Sequence, residues 1–374
     1  MSISGAVVAS AGVSSISQGW WVVFAFVAAA AFVVALIRPA RHAGLVDHPA
    51  GRKKHGEPTV LVGGLAIFLS LLLTAFLAGF LGELSGSLMI AMLVVVGIGL
   101  ADDAHEIGYR SKFFAQVVAA LVIVSGTTIH VVHLGDILGL GDLPLDKWSY
   151  LFTVIAIIGL MNAINMIDGL DGLAGTQVLV PATFFALVAL NAGDVRMALE
   201  LLILSGAIAG FLVFNLRSPW RKRALVFLGD TGGLLLGLLL AWYSIRLAGG
   251  VTAPLRPMAA VWILAVPLLD MGGVMFLRMV QNKSPFHPDR QHLHYVLRDA
   301  GFPASQVVFL MGVLAVACSV VALLCEAYRV PEFVMFGAFI CLLLAYGKLL
   351  ACPYVVARLA KNRMPPPTVP ESRV

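Results

Sequence analysis

The chain alternates between long apolar stretches and short polar connectors along almost its whole length. The stretches are long enough to cross about 30 Å of hydrocarbon as helices. Because helices satisfy their own backbone hydrogen bonds in lipid, the pattern predicts an all-α polytopic integral membrane protein. We expect about eleven transmembrane helices, or ten, because some stretches are short or interrupted by glycine. The predicted spans are 20–37, 61–81, 86–101, 112–126, 150–165, 172–191, 197–214, 232–248, 257–279, 305–325 and 333–352.

The composition excludes a soluble globular protein. Hydrophobic residues make up 60% of the 374 residues and charged residues only 12%, which is too few for the polar shell of a soluble domain. Neither an internal repeat nor a separate soluble domain is visible. We therefore expect residues 1–374 to form a single integral membrane domain.

Lysine and arginine predict the orientation, because they resist translocation and collect in cytoplasmic loops. Nineteen of the 25 lie after the first, third, seventh and ninth predicted spans or in the C-terminal tail. The N-terminus is thus expected outside, with 1–18 as a short tail and not a signal peptide. The C-terminus is expected in the cytoplasm, with 353–374 as a tail. This asymmetry and anionic lipid headgroups explain the net charge of +5, so no nucleic-acid partner is expected.

One external connector has a β-like pattern. The segment 126–149 alternates loosely and is interrupted by glycines, which predicts a small external β-hairpin near 127–145. His130 and His133 have helical spacing inside this β-like stretch, so we expect no metal site there.

The densest polar clusters all lie on the predicted cytoplasmic side. Connectors that converge at one membrane face can build one site, as loops on a rigid scaffold do in other proteins. The clusters are DHPAGRKKH (47–55), ADDAHEIGYRSK (101–112), NAINMIDGLDG (162–172), FLGDTGG (227–233) and SPFHPDRQHLHYVLRDAG (284–301).

Two adjacent acids, Asp102 and Asp103, directly follow the third span. A solvated helix end explains such a pair about as well as a functional site does. Acids are unfavourable at a helix C-terminus, however, because the helix dipole is already negative there. We therefore expect a cationic group to offset them.

Four polar residues follow one another at a spacing of three in the next cluster: Asn162, Asn165, Asp168 and Asp171. If the segment is helical, they form one polar face on an otherwise apolar helix. The connector is too short for all four to be freely solvated, which favours a functional site.

Asp230 stands just before an apolar run and is followed by glycines. A helix N-cap is the simpler interpretation of such an acid. The functional alternative is an oxygen ligand for Mg²⁺, which prefers carboxylates together with substrate phosphate oxygens.

The last cluster is rich in histidine. Positive-inside bias explains its arginine, but histidines are mostly uncharged at pH 7 and contribute little to topology. Their density therefore favours phosphate contact or proton transfer. The residues concerned are His287, Asp289, Arg290, His292 and His294.

Five motifs together resemble those of the polyprenyl-phosphate N-acetylhexosamine-1-phosphate transferase family, within glycosyltransferase family 4. In chain order they are DHPAGRKKH with its following VGG, the DD pair, NAINMIDGLDGLAG, FLGDTGG and SPFHPDRQHLH. The resemblance covers 45–301, about two thirds of the chain. Each motif alone is weak, whereas the ordered set is specific. HPDRQHLH and RKKH…LVGG resemble the bacterial branch that starts O-antigen, enterobacterial common antigen or teichoic acid linkage units. The three-histidine run typical of the phospho-MurNAc-pentapeptide translocase branch is absent.

The resemblance implies transfer of GlcNAc-1-phosphate from UDP-GlcNAc to undecaprenyl phosphate, with release of UMP. It implies Mg²⁺ as the cofactor, with Mn²⁺ as an alternative, and Asp230 and Asp168 as metal ligands. Asp102 is the candidate for taking a proton from the lipid phosphate, and Phe227 for stacking on uracil. The implied catalytic residues are Asp102, Asp103, Asp230, His292 and His294. The implied substrate-binding residues are Lys53, Lys54, His55, Asn165, Asp168, Asp171, Phe227 and Arg290.

The chain departs from the family pattern at three positions. Tyr295 stands where a further histidine is common, which keeps an inactive relative as an alternative. Gly233 replaces a common serine, and Val60 replaces a frequent proline. Neither change removes a charge, so we expect them to tune activity.

A secondary transporter or ion channel is the alternative from another class, because acids within a membrane often mark ion paths. That alternative predicts acids near the midplane and two related halves. The acids here cluster near span ends, and the halves differ. The sequence leaves open the particular UDP-N-acetylhexosamine, the downstream polysaccharide, the number of chemical steps and a homodimer.

Overall fold

The computed structural model describes residues 3–47, 58–79, 81–83, 85–218, 220–282, 284 and 291–351, with 3–18 and 83 by their backbone alone. Helices dominate this part of the chain. They are α1 (Ile3–His42), α2 (Gly63–Leu77), α3 (Gly86–His105), α4 (Tyr109–Gly126), α5 (Ser149–Ile167), α6 (Leu173–Asn191), α7 (Val195–Asn215), α8 (Gly229–Ala248), α9 (Pro257–Ile263), α10 (Ala265–Val280), α11 (Leu293–Asp299), α12 (Ala304–Ala327) and α13 (Glu332–Ala351). The strands are β1 (Val46–Asp47), β2 (Thr59–Leu61) and β3 (Val226–Phe227).

The prediction of an all-helical multi-pass membrane protein is confirmed. Within the described residues, eight helices are long and apolar enough to cross a membrane, and α9 with α10 forms a ninth span if the bent pair counts as one. The remaining two predicted spans correspond to α2, which has only 15 residues, and to α4, whose first turn carries Arg110 and Lys112. The first helix begins at Ile3, so most of the expected N-terminal tail continues α1.

The ninth span is broken at Leu264, where α9 and α10 meet at an angle of 83°. Pro267 lies in the first turn of α10 and has no N–H to donate to the carbonyl of Ile263, the last residue of α9. A proline at this position also clashes with that carbonyl, so the helix breaks there.

Helix α8 forms the centre of the bundle. It packs against α2, α3, α5 and α6, and 94% of its 18-residue apolar stretch is buried. Glycines allow the close approach of two neighbours: a Cβ on Gly64 of α2 would overlap with Gly232, and one on Gly99 of α3 would overlap with Thr231. The start of α8 is therefore held tightly between these helices.

A small sheet lies beside the start of α8. Strand β2 pairs antiparallel with β1 and parallel with β3, and the Gly64 N–H donates to the Leu228 carbonyl at 2.9 Å. Because β2 leads into α2 and β3 leads into α8, the sheet fixes both helix starts relative to each other.

The expected external hairpin is present as one short pairing. His133 and Pro144 form an isolated antiparallel bridge. The Leu134 N–H donates to the Leu143 carbonyl at 2.9 Å, and the Val132 N–H donates to the Gly249 carbonyl. The segment therefore packs at the end of α8 opposite to Asp230.

Candidate active site

An ammonium group joins two of the predicted acids. Lys112 Nζ, at the start of α4, donates to Asp102 Oδ2 at 2.9 Å and to Asp230 Oδ2 at 2.6 Å. Asp102 lies in the last turn of α3 and Asp230 in the first turn of α8, so three helix ends meet here. All three side chains are largely buried, with 11 to 26% of each exposed. Lys112 is the cation that the acids at the end of α3 require.

The second acid of the pair, Asp103, caps α8. Its Oδ1 accepts from the Asp230 backbone N–H at 2.8 Å. Its Oδ2 accepts from the N–H and the hydroxyl of Thr231 at 3.2 and 2.7 Å. A carboxylate at a helix N-terminus satisfies orphan N–H groups and interacts favourably with the positive end of the dipole. Asp103 thereby fixes the backbone that carries Asp230.

The polar ladder, made up of Asn162, Asn165, Asp168 and Asp171, does not lie on one continuous helix. Helix α5 ends at Ile167, a turn follows, and α6 begins at Leu173 after Gly172, which has a φ of +86°. The Gly172 N–H donates to Asn215 Oδ1 at 2.7 Å, which fixes the turn. The four residues therefore point to different partners.

The two ends of the ladder hold helices together. Asn162 Nδ2 donates to Gln116 Oε1 of α4 at 2.7 Å. At the other end, Arg217 Nε donates to Asp171 Oδ2 at 2.7 Å, and the Ala224 N–H donates to the same oxygen. The middle of the ladder faces the site: Asn165 adjoins Asp230 and fills the space beside Gly233.

Asp168 follows α5 and lies among three other acids. Although its side chain is open to solvent on one side, burial among protein atoms raises its pKa. The negative charges of Asp230, Asp103 and Asp171 raise it further, to about 8. A cation bound here would offset the clustered negative charge and lower this pKa again.

His292 and His294, the described histidines of the last polar cluster, lie close to this acid cluster. His292 and His294 are buried, and their rings stack with centroids 5.6 Å apart. His294 Nε2 packs directly against Gly169, the residue after Asp168. Tyr295 adjoins His294, and the centroids of the two rings lie 4.1 Å apart.

The remaining predicted residues divide into two groups. Phe227 is half-buried in β3, where it pairs with Leu61 of β2, three residues before Asp230. The others lie outside the described residues: Lys53, Lys54, His55, His287, Asp289 and Arg290.

The acid cluster fits a hard divalent cation that also binds phosphate. Among the described residues, no group of three His, Cys, Asp or Glu side chains is arranged to hold a metal ion. Mg²⁺ commonly takes one or two carboxylates and completes its shell with water and substrate phosphate oxygens. Asp102 Oδ1 is buried without a hydrogen-bond partner in the described part of the chain. This unpaired oxygen, beside the carboxylate of Asp230, gives the donor chemistry that Mg²⁺ and Mn²⁺ accept.

Two contributors to the site were missed at the sequence level. In the sequence, Lys112 is only one of the basic residues of the predicted cytoplasmic loops. The expectation of a cationic group beside Asp102 nevertheless pointed to it. Asp270 lies inside the ninth predicted span, and it contacts His292 at 2.7 Å. An acid within an apolar span is by itself an indication of function.

Comparison with known proteins shows the family to which the chain belongs. The model of glycosyl transferase family 4 matches residues 85–248. An undecaprenyl-phosphate alpha-N-acetylglucosaminyl 1-phosphate transferase of Haemophilus influenzae is 35% identical over 312 residues, which cover 83% of this chain and 88% of the relative. A protein of the same name from Salmonella typhimurium is 32% identical, and the match covers 85% of this chain and 87% of the relative. Another from Escherichia coli K12 is 30% identical, and the match covers 86% of this chain and 88% of the relative. The chain therefore belongs to glycosyl transferase family 4, as its ordered motifs predicted.

Proposed function

We propose that this protein transfers N-acetylglucosamine-1-phosphate from UDP-GlcNAc to undecaprenyl phosphate and releases UMP. The observation that carries the proposal is the meeting of Asp102, Lys112 and Asp230 at one end of the bundle. Asp168 lies close enough for the negative charge of Asp230 to raise its pKa. The relatives, which are similar over most of both chains, are named for this transfer.

The reaction exchanges one phosphoric anhydride for another. An oxygen of the lipid phosphate attacks the sugar-linked phosphorus of UDP-GlcNAc, and the bond from that phosphorus to the bridging oxygen breaks. UMP leaves with the bridging oxygen, and the lipid carries GlcNAc on a diphosphate. Phosphoryl transfer of this kind depends mainly on positioning and on neutralising charge.

The side chains at the helix ends would supply both requirements. Asp230 and Asp168 would hold Mg²⁺, or Mn²⁺ in its place, which when bound would neutralise charge on the diphosphate. Asp103 holds the backbone of Asp230 and Thr231 in place. Lys112 fixes the carboxylates of Asp102 and Asp230. Asp102 would accept a proton when the lipid phosphate arrives protonated.

The remaining roles concern substrate binding. Asn165, Asp168 and Asp171 would bind the nucleotide, and Phe227 would stack on uracil. His292, His294 and Arg290 would contact the diphosphate and sugar, while Lys53, Lys54 and His55 would contact phosphate. Of the described members of this set, Asp171 already pairs with Arg217, so we expect it to shape the nucleotide site through that pair.

The proposed setting is the bacterial inner membrane, with the site on the cytoplasmic face, where the basic loops cluster. There the lipid acceptor stays in the bilayer while the nucleotide sugar arrives from solution. The product would start O-antigen, enterobacterial common antigen or another surface polysaccharide. A homodimer is compatible with this proposal. Transport is disfavoured, because Asp102, Asp168 and Asp230 lie at or next to helix ends.

The test is an assay of purified protein in detergent with undecaprenyl phosphate, Mg²⁺ and a panel of UDP-N-acetylhexosamines. We expect one UDP-sugar to give a lipid whose mass equals the acceptor plus N-acetylhexosamine phosphate, with UMP released in equal amount. Reactions without the lipid or with EDTA serve as controls. The proposal is overturned if UDP-GlcNAc yields no lipid product, even when another UDP-sugar in the panel does.

A further inference from the structure

Asp270 of α10 has a buried carboxylate group. Side chains and backbone from two other regions contact it. His292 Nδ1 lies 2.7 Å from Asp270 Oδ2. The Leu293 N–H donates to Oδ1 at 3.0 Å, and the Tyr346 hydroxyl of α13 donates to the same oxygen at 2.6 Å. Only 1% of the Asp270 side chain and 5% of the His292 side chain are exposed.

This contact determines which nitrogen of His292 carries hydrogen. An ionised carboxylate can only accept, so the hydrogen of the contact belongs to Nδ1. The other nitrogen, Nε2, then remains available to accept a hydrogen bond when the ring is neutral, or to donate one when it is protonated. Removal of the carboxylate would free the ring to take the opposite tautomer and to rotate.

We propose that Asp270 is a positioning residue that fixes the tautomer and orientation of His292, and that Tyr346 of the last span holds Asp270 in place. The inference rests on the proposed function, in which His292 contacts the diphosphate and sugar. It extends the site to α13, beyond the motif-bearing segment 45–301.

The packing supports a route from Tyr346 to the acid cluster. A Cβ on Gly273 would lie 2.7 Å from the Tyr346 ring, so the glycine leaves room for the tyrosine beside Asp270. His292 stacks on His294 with an interplanar angle of 16°, and His294 packs against Gly169, which follows Asp168. A change in the orientation of His292 would thus displace His294 and, through it, the residues around Asp168.

A purely structural role is the competing explanation. Asp270 also accepts from the first backbone N–H of α11, so it could merely fasten that short helix to α10. A fastening role predicts that loss of Asp270 harms the protein whether or not residue 292 is histidine. A positioning role predicts that the loss matters only when the imidazole is present.

A double-mutant cycle separates the two explanations. We expect Asp270→Asn to lower kcat about 10- to 100-fold, as loss of a group that orients an active-site histidine commonly does. The KM for the UDP-sugar should change much less. In a His292→Ala background the same substitution should cause no further loss. Tyr346→Phe should lower kcat less and show the same non-additivity, while Tyr328→Phe, at an exposed position just after α12, should have no effect.

Nitrogen chemical shifts of ¹⁵N-histidine test the positioning without any turnover. The wild-type protein should show His292 with hydrogen on Nδ1, and Asp270→Asn and Tyr346→Phe should shift that signal, which His292→Ala identifies by its disappearance. Independent, multiplying losses in the cycle, or an unchanged His292 signal in both variants, would overturn the inference. Because the spectra need no substrate, they decide it even if the wild-type protein shows no transferase activity. Should Asp270→Asn fail to fold, Tyr346→Phe supplies both measurements.

Discussion

The ammonium group of Lys112 lies 2.6 Å from the carboxylate of Asp230, although 118 residues separate them in sequence. The same ammonium group contacts Asp102 at 2.9 Å. One cation thus joins the end of α3 to the start of α8, and it offsets negative charge that the dipole of α3 alone would make unfavourable.

We predict that Lys112→Met lowers turnover by about 10²- to 10³-fold, the usual loss when one preorganised electrostatic group leaves an active site. Without the ammonium group, Asp102 and Asp230 repel each other and lose their fixed geometry. Initial rates of UMP release measure the effect. Lys147→Met removes the same charge beside Trp148 in the connector before α5, and its rate should equal that of the wild type. Equal rates for both variants would contradict the role given to Lys112.

We predict that Asp103→Ala lowers both stability and activity. The carboxylate accepts three hydrogen bonds at the start of α8, and loss of a helix cap costs about 1–2 kcal/mol of unfolding free energy. The apparent melting temperature in detergent should fall. Turnover should fall as well, because the backbone of Asp230 moves.

Asp194→Ala is the matched control for the cap. Asp194 accepts from the Met197 N–H at 2.9 Å and caps α7 at the opposite end of the bundle. Alanine removes the single acceptor of this cap, so this variant should lower the melting temperature by a similar amount while its turnover stays at the wild-type rate. If Asp103→Ala also kept full turnover, Asp103 would be a cap without influence on the site.

We predict that divalent cations bind more tightly as pH rises toward about 8. The pKa of Asp168 is raised from 3.8 to about 8, so the metal-free protein holds this proton at neutral pH and a cation must displace it. Below the raised pKa, affinity should increase by at most about tenfold per pH unit, and above it the gain should level off. Mn²⁺ binding followed by electron paramagnetic resonance measures this dependence. Asp168→Asn should flatten it, and an unchanged slope in that variant would assign the proton to another group.

The sequence was sufficient to predict the spans and the grouping of the acids. Every predicted span corresponds to a helix or, for the ninth span, to the bent pair α9 and α10, although α2 and α4 do not meet the criteria for crossing a membrane. The grouping of Asp102, Asp168 and Asp230 followed from their position on one predicted side. The partners within that group could not be predicted in the same way, because the contact between Lys112 and Asp230 depends on how α4 packs beside α8.

Two features escaped prediction for identifiable reasons. The spacing of Asn162 to Asp171 suited a continuous helix, but Gly172 adopts a positive φ, and the Asn215 side chain binds its N–H. Tertiary contacts thus overrode a local pattern. Asp270 was overlooked because it stands alone in an apolar span, far in sequence from both His292 and Tyr346.

We predict that Gly99→Ala disrupts the site through packing alone. A Cβ at Gly99 would overlap with Thr231 of α8, so α3 must move away from the helix start that Asp103 caps. Stability and turnover should both fall. Gly97 lies two residues earlier on the same helix, where an added Cβ would meet no other atom within 4 Å, and Gly97→Ala should leave turnover unchanged. Loss of turnover in both variants would show that α3 tolerates no alanine and would refute the packing argument.

The central claim is that acids at the helix ends bind a divalent cation together with the nucleotide sugar. The most direct test compares UMP release by the wild type and by Asp230→Asn over a Mg²⁺ titration, with undecaprenyl phosphate and UDP-GlcNAc present and with melting curves to verify folding. We predict that the variant folds and releases UMP at a rate reduced by about 10³-fold or more, with no recovery at high Mg²⁺. Turnover by Asp230→Asn at the wild-type rate and with the wild-type Mg²⁺ dependence would contradict the claim.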